Sequence, residues 1–328
     1  MGELRDSFGR TFKYLRLSVT DRCNFRCSYC LPNGYKKNPC ETANEMSLEE
    51  IRRLVHGFSS LGFQKVRITG GEPTLRKDIL EIIETISSQK NIKNIALTTN
   101  AFRLRSLLPD LKKAGLSALN ISLDSLKNES FAKITGSPLF HQIIDCIDDA
   151  LVIGFTKIKV NVVLLKGLND SEVGAFLNYA KNRQISIRFI ELMKTGDNLD
   201  FFADRHLSTG VVREELFRRG WESIERGLQD GPADVFVHPE FQGSIGLIAP
   251  YSNDFCHSCN RLRVSARGKL RLCLFGDGDL DLRPWLQSDE QMRDLPNVIK
   301  ELMVNKKISH QLQKGIYGTT ANFAEIGG

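Results

Sequence analysis

From Tyr14 to about Leu192 the chain alternates between two hydrophobic periods: a short apolar run of strand length, then a stretch with apolar residues on one helical face, six times over. Ile51, Leu54, Val55, Phe58 and Leu61 lie at helical spacing, as do Ile79, Ile82, Ile83 and Ile86, then Leu104, Leu107, Leu108 and Leu111, then Val173, Phe176, Leu177 and Ala180. Ser47-Leu48-Glu49-Glu50 reads as a capping box opening the first helix. Strands alternating with helices form a parallel sheet with helices outside, and six units are two short of a closed eight-unit barrel. The pattern predicts an α/β fold, an open partial (β/α) barrel. A doubly wound sheet would give nearly the same pattern.

Within the strands, successive residues face opposite sides and the apolar side lies under the helices. Leu15, Leu17 and Val19 therefore point outward and leave Arg16 and Ser18 inside. Val66 and Ile68 leave Arg67 and Thr69, Ile95 and Leu97 leave Thr98 and Asn100, and Leu119, Ile121 and Leu123 leave Asn120, Ser122 and Asp124. Ile158, Val160 and Val162 leave Lys157, Lys159 and Asn161. A barrel filled only for stability carries branched apolar side chains, so a polar interior with Arg16, Arg67 and Lys159 predicts a ligand chamber. Enclosed cations without matching carboxylates are costly and call for an anionic substrate. The alternative is that they form buried ion pairs with Asp124 or Glu191.

Past the sixth strand, ending near Met193, the rhythm breaks. A boundary near Gly196 divides the chain into residues 1–196 and 197–328. A polar linker is expected over Asp197 to Ser208, a helix over roughly Thr209 to Arg219, and a strand at Gly246 to Ala249. The 328 residues carry a net charge of +6, scattered along the chain, which does not point to nucleic acid. No apolar run approaches the roughly 20 residues that span a bilayer, and the first residues lack a signal-peptide core. The expectation is a cytoplasmic protein with neither a membrane nor a nucleic-acid partner. In a reducing compartment its eight cysteines point to metal rather than disulfides.

Six of those cysteines fall in two sets. Cys23, Cys27 and Cys30 have C-x₃-C-x₂-C spacing just after the first strand, and Cys256, Cys259 and Cys273 have C-x₂-C-x₁₃-C spacing around a turn at Ala266-Arg267-Gly268-Lys269. Iron-sulfur clusters normally take four cysteines and closed zinc sites four protein ligands, so each set of three leaves one metal position open. In the second set His257 could complete a zinc site, although its adjacency to Cys256 would strain a tetrahedron. Thr69-Gly70-Gly71-Glu72-Pro73 follows the second strand, at the sheet end where ligands bind. Cys40 and Cys146 stand outside both sets, Cys146 reading as a packing residue. His141, His238 and His310 have no defensible partner spacing and read as surface or satisfied polar residues.

The C-x₃-C-x-Tyr-C pattern, with Gly70-Gly71-Glu72-Pro73 one helix later, resembles the radical S-adenosylmethionine superfamily. With the second cysteine set, Asn260-Arg261-Leu262-Arg263 and the terminal Ile326-Gly327-Gly328, the whole chain resembles the GTP 3′,8-cyclases of molybdenum cofactor biosynthesis. The resemblance implies a six-unit partial barrel closed by a C-terminal iron-sulfur cluster domain. It implies two [4Fe–4S] clusters, on Cys23, Cys27 and Cys30 and on Cys256, Cys259 and Cys273, and S-adenosylmethionine contacted by Tyr29, Gly71, Ser122 and Met193. GTP would lie between the clusters, against Arg16, Arg67, Thr98, Lys159, Arg261, Leu262 and Arg263. A 5′-deoxyadenosyl radical would take hydrogen from the ribose C3′ of GTP, and C3′ would then join guanine C8 to give 3′,8-cyclo-7,8-dihydroguanosine 5′-triphosphate. The implied partners are the downstream cyclic pyranopterin monophosphate synthase, an electron donor such as flavodoxin, and a second copy in a homodimer. The Gly-Gly tail would reach into the chamber. Phe323 departs from the family's pattern, which leads one to expect Met there. The rival readings are a radical S-adenosylmethionine peptide-modifying enzyme, which would carry more C-terminal cysteines, and a zinc-binding interaction module.

Overall fold

The computed structural model describes residues 3–36, 44–225, 231–276, 278–325 and 327, so Cys40, Ile326 and Gly328 lie outside the described residues. The first six strands are β1 (Tyr14–Ser18), β2 (Lys65–Thr69), β3 (Asn94–Thr99), β4 (Ala118–Ser122), β5 (Ile158–Leu164) and β6 (Ile185–Glu191). Between them run α1 (Leu48–Ser60), α2 (Ile79–Ser87), α3 (Leu104–Lys113), the pair α4 (Asn128–Thr135) and α5 (Phe140–Val152), and α6 (Val173–Tyr179). The capping box of α1 is formed: Glu50 N–H donates to Ser47 Oγ (3.2 Å) and Ser47 N–H to Glu50 Oε2 (2.8 Å). Cys146 is fully buried on α5, as its apolar neighbours predicted.

The remaining chain forms α7 (Leu199–Arg205), α8 (Gly210–Arg218), β7 (Glu222–Ile224), β8 (Asp234–Val237), β9 (Ser244–Ile248), β10 (Arg261–Val264), β11 (Lys269–Arg271), β12 (Leu280–Asp281), α9 (Asp289–Met292) and α10 (Leu295–Leu302). The expected linker is thus partly helical. Phe201 and Phe202 of α7 pack on a small apolar cluster of Ile134, Leu165 and Leu192, which outweighs the polarity of the stretch.

All these strands belong to one sheet, in the order β12-β11-β10-β1-β2-β3-β4-β5-β6-β9-β8-β7. β10 pairs parallel to β1 and β9 parallel to β6, so the six expected parallel strands become eight, with the added two supplied from beyond residue 196. Leu15, Leu17, Val66, Ile68, Leu97, Leu119, Ile121, Val160 and Val162 are buried on the helix side. The opposite residues of β10 and of β1 to β6 face a shared cavity, round which the sheet curves. The later segment is also tied to α1, where Arg283 donates to both Glu50 oxygens (2.8 and 3.1 Å) and Gln287 Nε2 donates to Oε1 (2.9 Å).

Candidate active site

All six cysteines of the two sets line this one cavity, the first set beyond the carboxyl end of β1 and the second at the opposite end, before the start of β10 and just after β11. The first set is held by backbone. Arg26 N–H donates to the Thr135 carbonyl and Ser28 N–H to that of Ile134 (both 2.9 Å), pinning the loop to the end of α4. Gly71 N–H donates to the Thr20 carbonyl (2.8 Å) and Glu72 N–H to that of Arg22 (2.7 Å). A Cβ on Gly70 would stand 2.3 Å from Thr20 O, and one on Gly71 2.2 Å from Arg22 O, so the glycine pair is what lets the cysteine loop lie on the end of β2. Behind it, the buried Glu72 carboxylate accepts from Thr74 N (2.9 Å), Thr74 Oγ1 (2.6 Å), Thr99 Oγ1 (2.7 Å) and Asn100 N (2.6 Å).

Burial pushes the Cys23 thiol up to about 11 and Cys30 to about 12, and Cys27 is raised well above its ordinary value by burial and by Asp124. As bare thiols these groups stay protonated at neutral pH, and a cluster would hold them as thiolates. At the other end burial also acts on Cys259, but Arg261, Lys306 and Arg263 together outweigh it and bring that thiol down to about 7. Cys256 is fixed through its carbonyl, which accepts from Arg10 Nη1 (3.0 Å). Among the described residues no three His, Cys, Asp or Glu groups converge on one metal-ion position. A cluster, each of whose thiolates serves a separate iron, needs no such convergence. His257, the candidate fourth zinc ligand, has a side chain 70% exposed and turns to Asp254 (3.4 Å).

Between the two sets the walls are cationic. Arg16, Arg67, Arg261 and Arg263 line the cavity with Thr98, and so does Arg188 of β6, which the sequence reading passed over although it alternates with Ile187 and Phe189. Burial together with Arg263 and Arg67 holds the Arg16 guanidinium well below its usual range, and burial with Arg261 brings Arg263 to about 10. Arg67 Nε, Arg263 Nε and Thr98 Oγ1 are buried without a hydrogen-bond partner among the described residues. Asp124 and Glu191, the alternative counter-charges, are engaged elsewhere. Asp124 accepts from Tyr29 Oη (2.9 Å) and Val163 N (2.9 Å), and Glu191 accepts from Thr209 N (3.1 Å) and faces His206 Nε2 (2.9 Å).

Tyr29, Gly71, Ser122 and Met193 all line the cavity near the first cysteine set. Two expected contacts do not. Lys159 stands two residues below Asn161 on the inward face of β5 and is not among the lining residues, and the Leu262 side chain is fully buried on the helix side, opposite Leu15. Strand alternation accounts for Leu262, since Arg261 and Arg263 face inward and the residue between them cannot. His310, expected at the surface or satisfied, is instead buried in the cavity wall.

The C-terminal segment crosses between the cysteine sets. Thr320 Oγ1 donates to the Leu274 carbonyl (2.6 Å), next to Cys273, and Asp197 N–H donates to the Ala321 carbonyl (3.0 Å). The backbone of Phe323 and Ala324 then hydrogen-bonds Cys30. Gly327 is buried at a φ of 64°, where an added Cβ would stand 2.0 Å from Thr69 Cγ2.

Residues 17–180 match the Radical SAM superfamily and residues 185–312 match Molybdenum Cofactor Synthesis C. The chain is 50% identical over 326 residues to a GTP 3′,8-cyclase of Vibrio vulnificus, covering 99% of this chain and 98% of that one. It is also 50% identical over 326 residues to one of Klebsiella pneumoniae (99% of each chain), and 51% identical over 325 residues to one of Mannheimia succiniciproducens (99% of this chain, 96% of that one). In fold it is similar to Streptococcus suis SuiB bound to S-adenosylmethionine, with a TM-score of 0.65 at 13% identity over 93% of this chain and 74% of that chain.

Proposed function

The chain belongs to the GTP 3′,8-cyclase family of radical S-adenosylmethionine enzymes, and from that premise we propose how its own residues serve the reaction. The enzyme converts GTP to 3′,8-cyclo-7,8-dihydroguanosine 5′-triphosphate in molybdenum cofactor biosynthesis, using S-adenosylmethionine and two [4Fe–4S] clusters. Cys23, Cys27 and Cys30 hold the first cluster and Cys256, Cys259 and Cys273 the second. The donor set fits, with three thiols at each end of one cavity and, among the described residues, no group of His, Cys, Asp or Glu side chains that closes either set. When bound, the first cluster and S-adenosylmethionine supply the carbon radical that takes hydrogen from the ribose C3′.

The protein's own work is binding and exclusion. Tyr29, Gly71, Ser122 and Met193 hold S-adenosylmethionine beside the first set. Arg16, Arg67, Arg188, Arg261 and Arg263, with Thr98, take GTP between the sets, where charge-assisted contacts neutralise the triphosphate. Leu262 contributes through its backbone only, and Lys159 from below the cavity. The tail through Phe323, Ala324 and Gly327 covers the cavity and keeps water from the reacting carbon. An electron donor such as flavodoxin would supply the reducing electron, and a cyclic pyranopterin monophosphate synthase takes the product. The enzyme acts as a homodimer in the cytoplasm, where thiolates persist. No helix among the described residues is long and apolar enough to cross a membrane.

The observation that carries this reading is that both cysteine sets and five arginines share one cavity. Its test is anaerobic reconstitution, which should load about eight irons per chain, followed by product analysis from GTP, S-adenosylmethionine and dithionite. Cys27→Ala should abolish S-adenosylmethionine cleavage. Cys259→Ala should retain some uncoupled cleavage while losing the cyclised nucleotide. Unchanged iron in either variant would remove that cysteine from its cluster.

A further inference from the structure

His310 has no part in the reading above, and its surroundings give it one. The residue is 7% exposed and lines the cavity at the end that holds Cys256 and Cys259. Its ring lies between those of Phe255 and Phe275, at centroid distances of 5.8 and 5.3 Å, and both phenylalanines line the same cavity. Leu312 N–H donates to Nδ1 (3.3 Å), which makes Nδ1 the unprotonated nitrogen and puts the proton of the neutral ring on Nε2. Burial favours that neutral form, lowering the histidine below its ordinary value. Nε2 itself is buried and has no hydrogen-bond partner among the described residues. A buried donor left without an acceptor is costly and rare, so the acceptor is expected on whatever occupies the cavity.

We infer that His310 Nε2 donates a hydrogen bond to the 6-oxo edge of the substrate purine and selects GTP over ATP. The inference rests on the reading that the base lies at the Cys256 end of the cavity with the triphosphate on the arginines. Guanine presents O6 and N7 there, both acceptors, whereas adenine presents an amino donor at position 6. A donor whose tautomer is fixed from behind by Leu312 pairs with the first and opposes the second. A site built to pair one polar edge discriminates strongly against a base that leaves its buried group unpaired. Arg261, whose guanidinium carbon lies 5.6 Å from the Phe255 ring centroid, leaves the same end flat and aromatic, as a base requires.

The test measures equilibrium binding of GTP, ITP and ATP to enzyme carrying both clusters, without S-adenosylmethionine or reductant. ITP keeps the 6-oxo group and lacks the 2-amino group. His310→Phe should weaken GTP and ITP by about tenfold and should not weaken ATP. His310→Gln, whose amide N–H has a similar reach, should recover most of the loss. Equal weakening of all three nucleotides would overturn the inference by showing a structural role. So would an unchanged GTP-to-ATP ratio accompanied, in a separate dithionite-reduced sample without S-adenosylmethionine, by a shifted electron paramagnetic resonance spectrum of the second cluster, since the donor would then serve a cluster sulfur. Wild-type enzyme that fails to bind GTP would instead fail the underlying reading, a result visible before any variant is made.

Discussion

Arg263 sits among cations in a wall that offers it little compensation, and burial with Arg261 alongside has brought its guanidinium down to about 10. An anion arriving there gains more than it would at a surface site, because charge-assisted contacts in a dehydrated cavity contribute roughly 1.5–3 kcal/mol each. Arg67→Ala and Arg263→Ala should therefore each weaken GTP binding about tenfold or more, measured by titrating the nucleotide into enzyme with both clusters loaded. Lys159→Ala should cost clearly less, since Lys159 is outside the lining. Equal losses at Lys159 and Arg67 would remove the distinction. The inward cations Arg16 and Arg67 were legible because alternation needs only the outward apolar neighbours to be recognised. Arg188 is legible by the same rule, between the buried Ile187 and Phe189 of β6. His310 was not legible at all. It lies in an irregular stretch whose burial depends on Phe255 and Phe275, residues 35 or more positions away with no period to link them.

The loop of the first cysteine set depends on an element it does not belong to. Its start rests on the Gly70-Gly71 turn, whose missing side chains make room for the carbonyls of Thr20 and Arg22. Gly71→Ala should push the Arg22 carbonyl aside and displace Cys23, so that reconstituted enzyme carries about four irons in place of eight, with the second cluster retained. Full iron content together with weakened S-adenosylmethionine binding would mean instead that Gly71 acts on the cofactor alone. The tail makes a second such dependence. Gly327→Ala would force a side chain into Thr69 at a left-handed φ. It should leave both clusters in place and lower cyclised product relative to 5′-deoxyadenosine, followed together by chromatography. Normal product yield would make this part of the tail dispensable. Elements with strong periods and caps, α1 above all, were readable from sequence. The α7 helix was not, because its apolar residues face a cluster assembled from Ile134, Leu165 and Leu192 on three other segments.

At the scale of the whole molecule, periodicity gave the six βα units but could not show that strands from beyond residue 196 would complete the sheet. β10 and β9 lack following helices and find their places only by pairing with β1 and β6 at opposite edges. This return puts Arg261 and Arg263 beside Arg16 and Arg67, and the two cysteine sets in one cavity. Glu50 helps to hold the return on the barrel. Burial raises its carboxyl, but Arg283, the Ser47 N–H and Gln287 outweigh that and bring it to about 2. A carboxylate whose folded value lies below its unfolded value stabilises the fold above the unfolded value of 4.5, and that contribution fades as pH falls toward about 2. Glu50→Gln keeps a side chain able to cap α1 while losing the charge that Arg283 grips. The change should destabilise the chain by about 1–2 kcal/mol at pH 7, and the gap from wild type should narrow at pH 3.5. Urea unfolding of the cluster-free chain at both pH values keeps acid loss of iron out of the comparison. An equal gap at pH 7 and pH 3.5 would place the contribution of Glu50 in packing or helix capping, and the hold of the C-terminal segment on the barrel would then owe nothing to the Glu50–Arg283 charge pair.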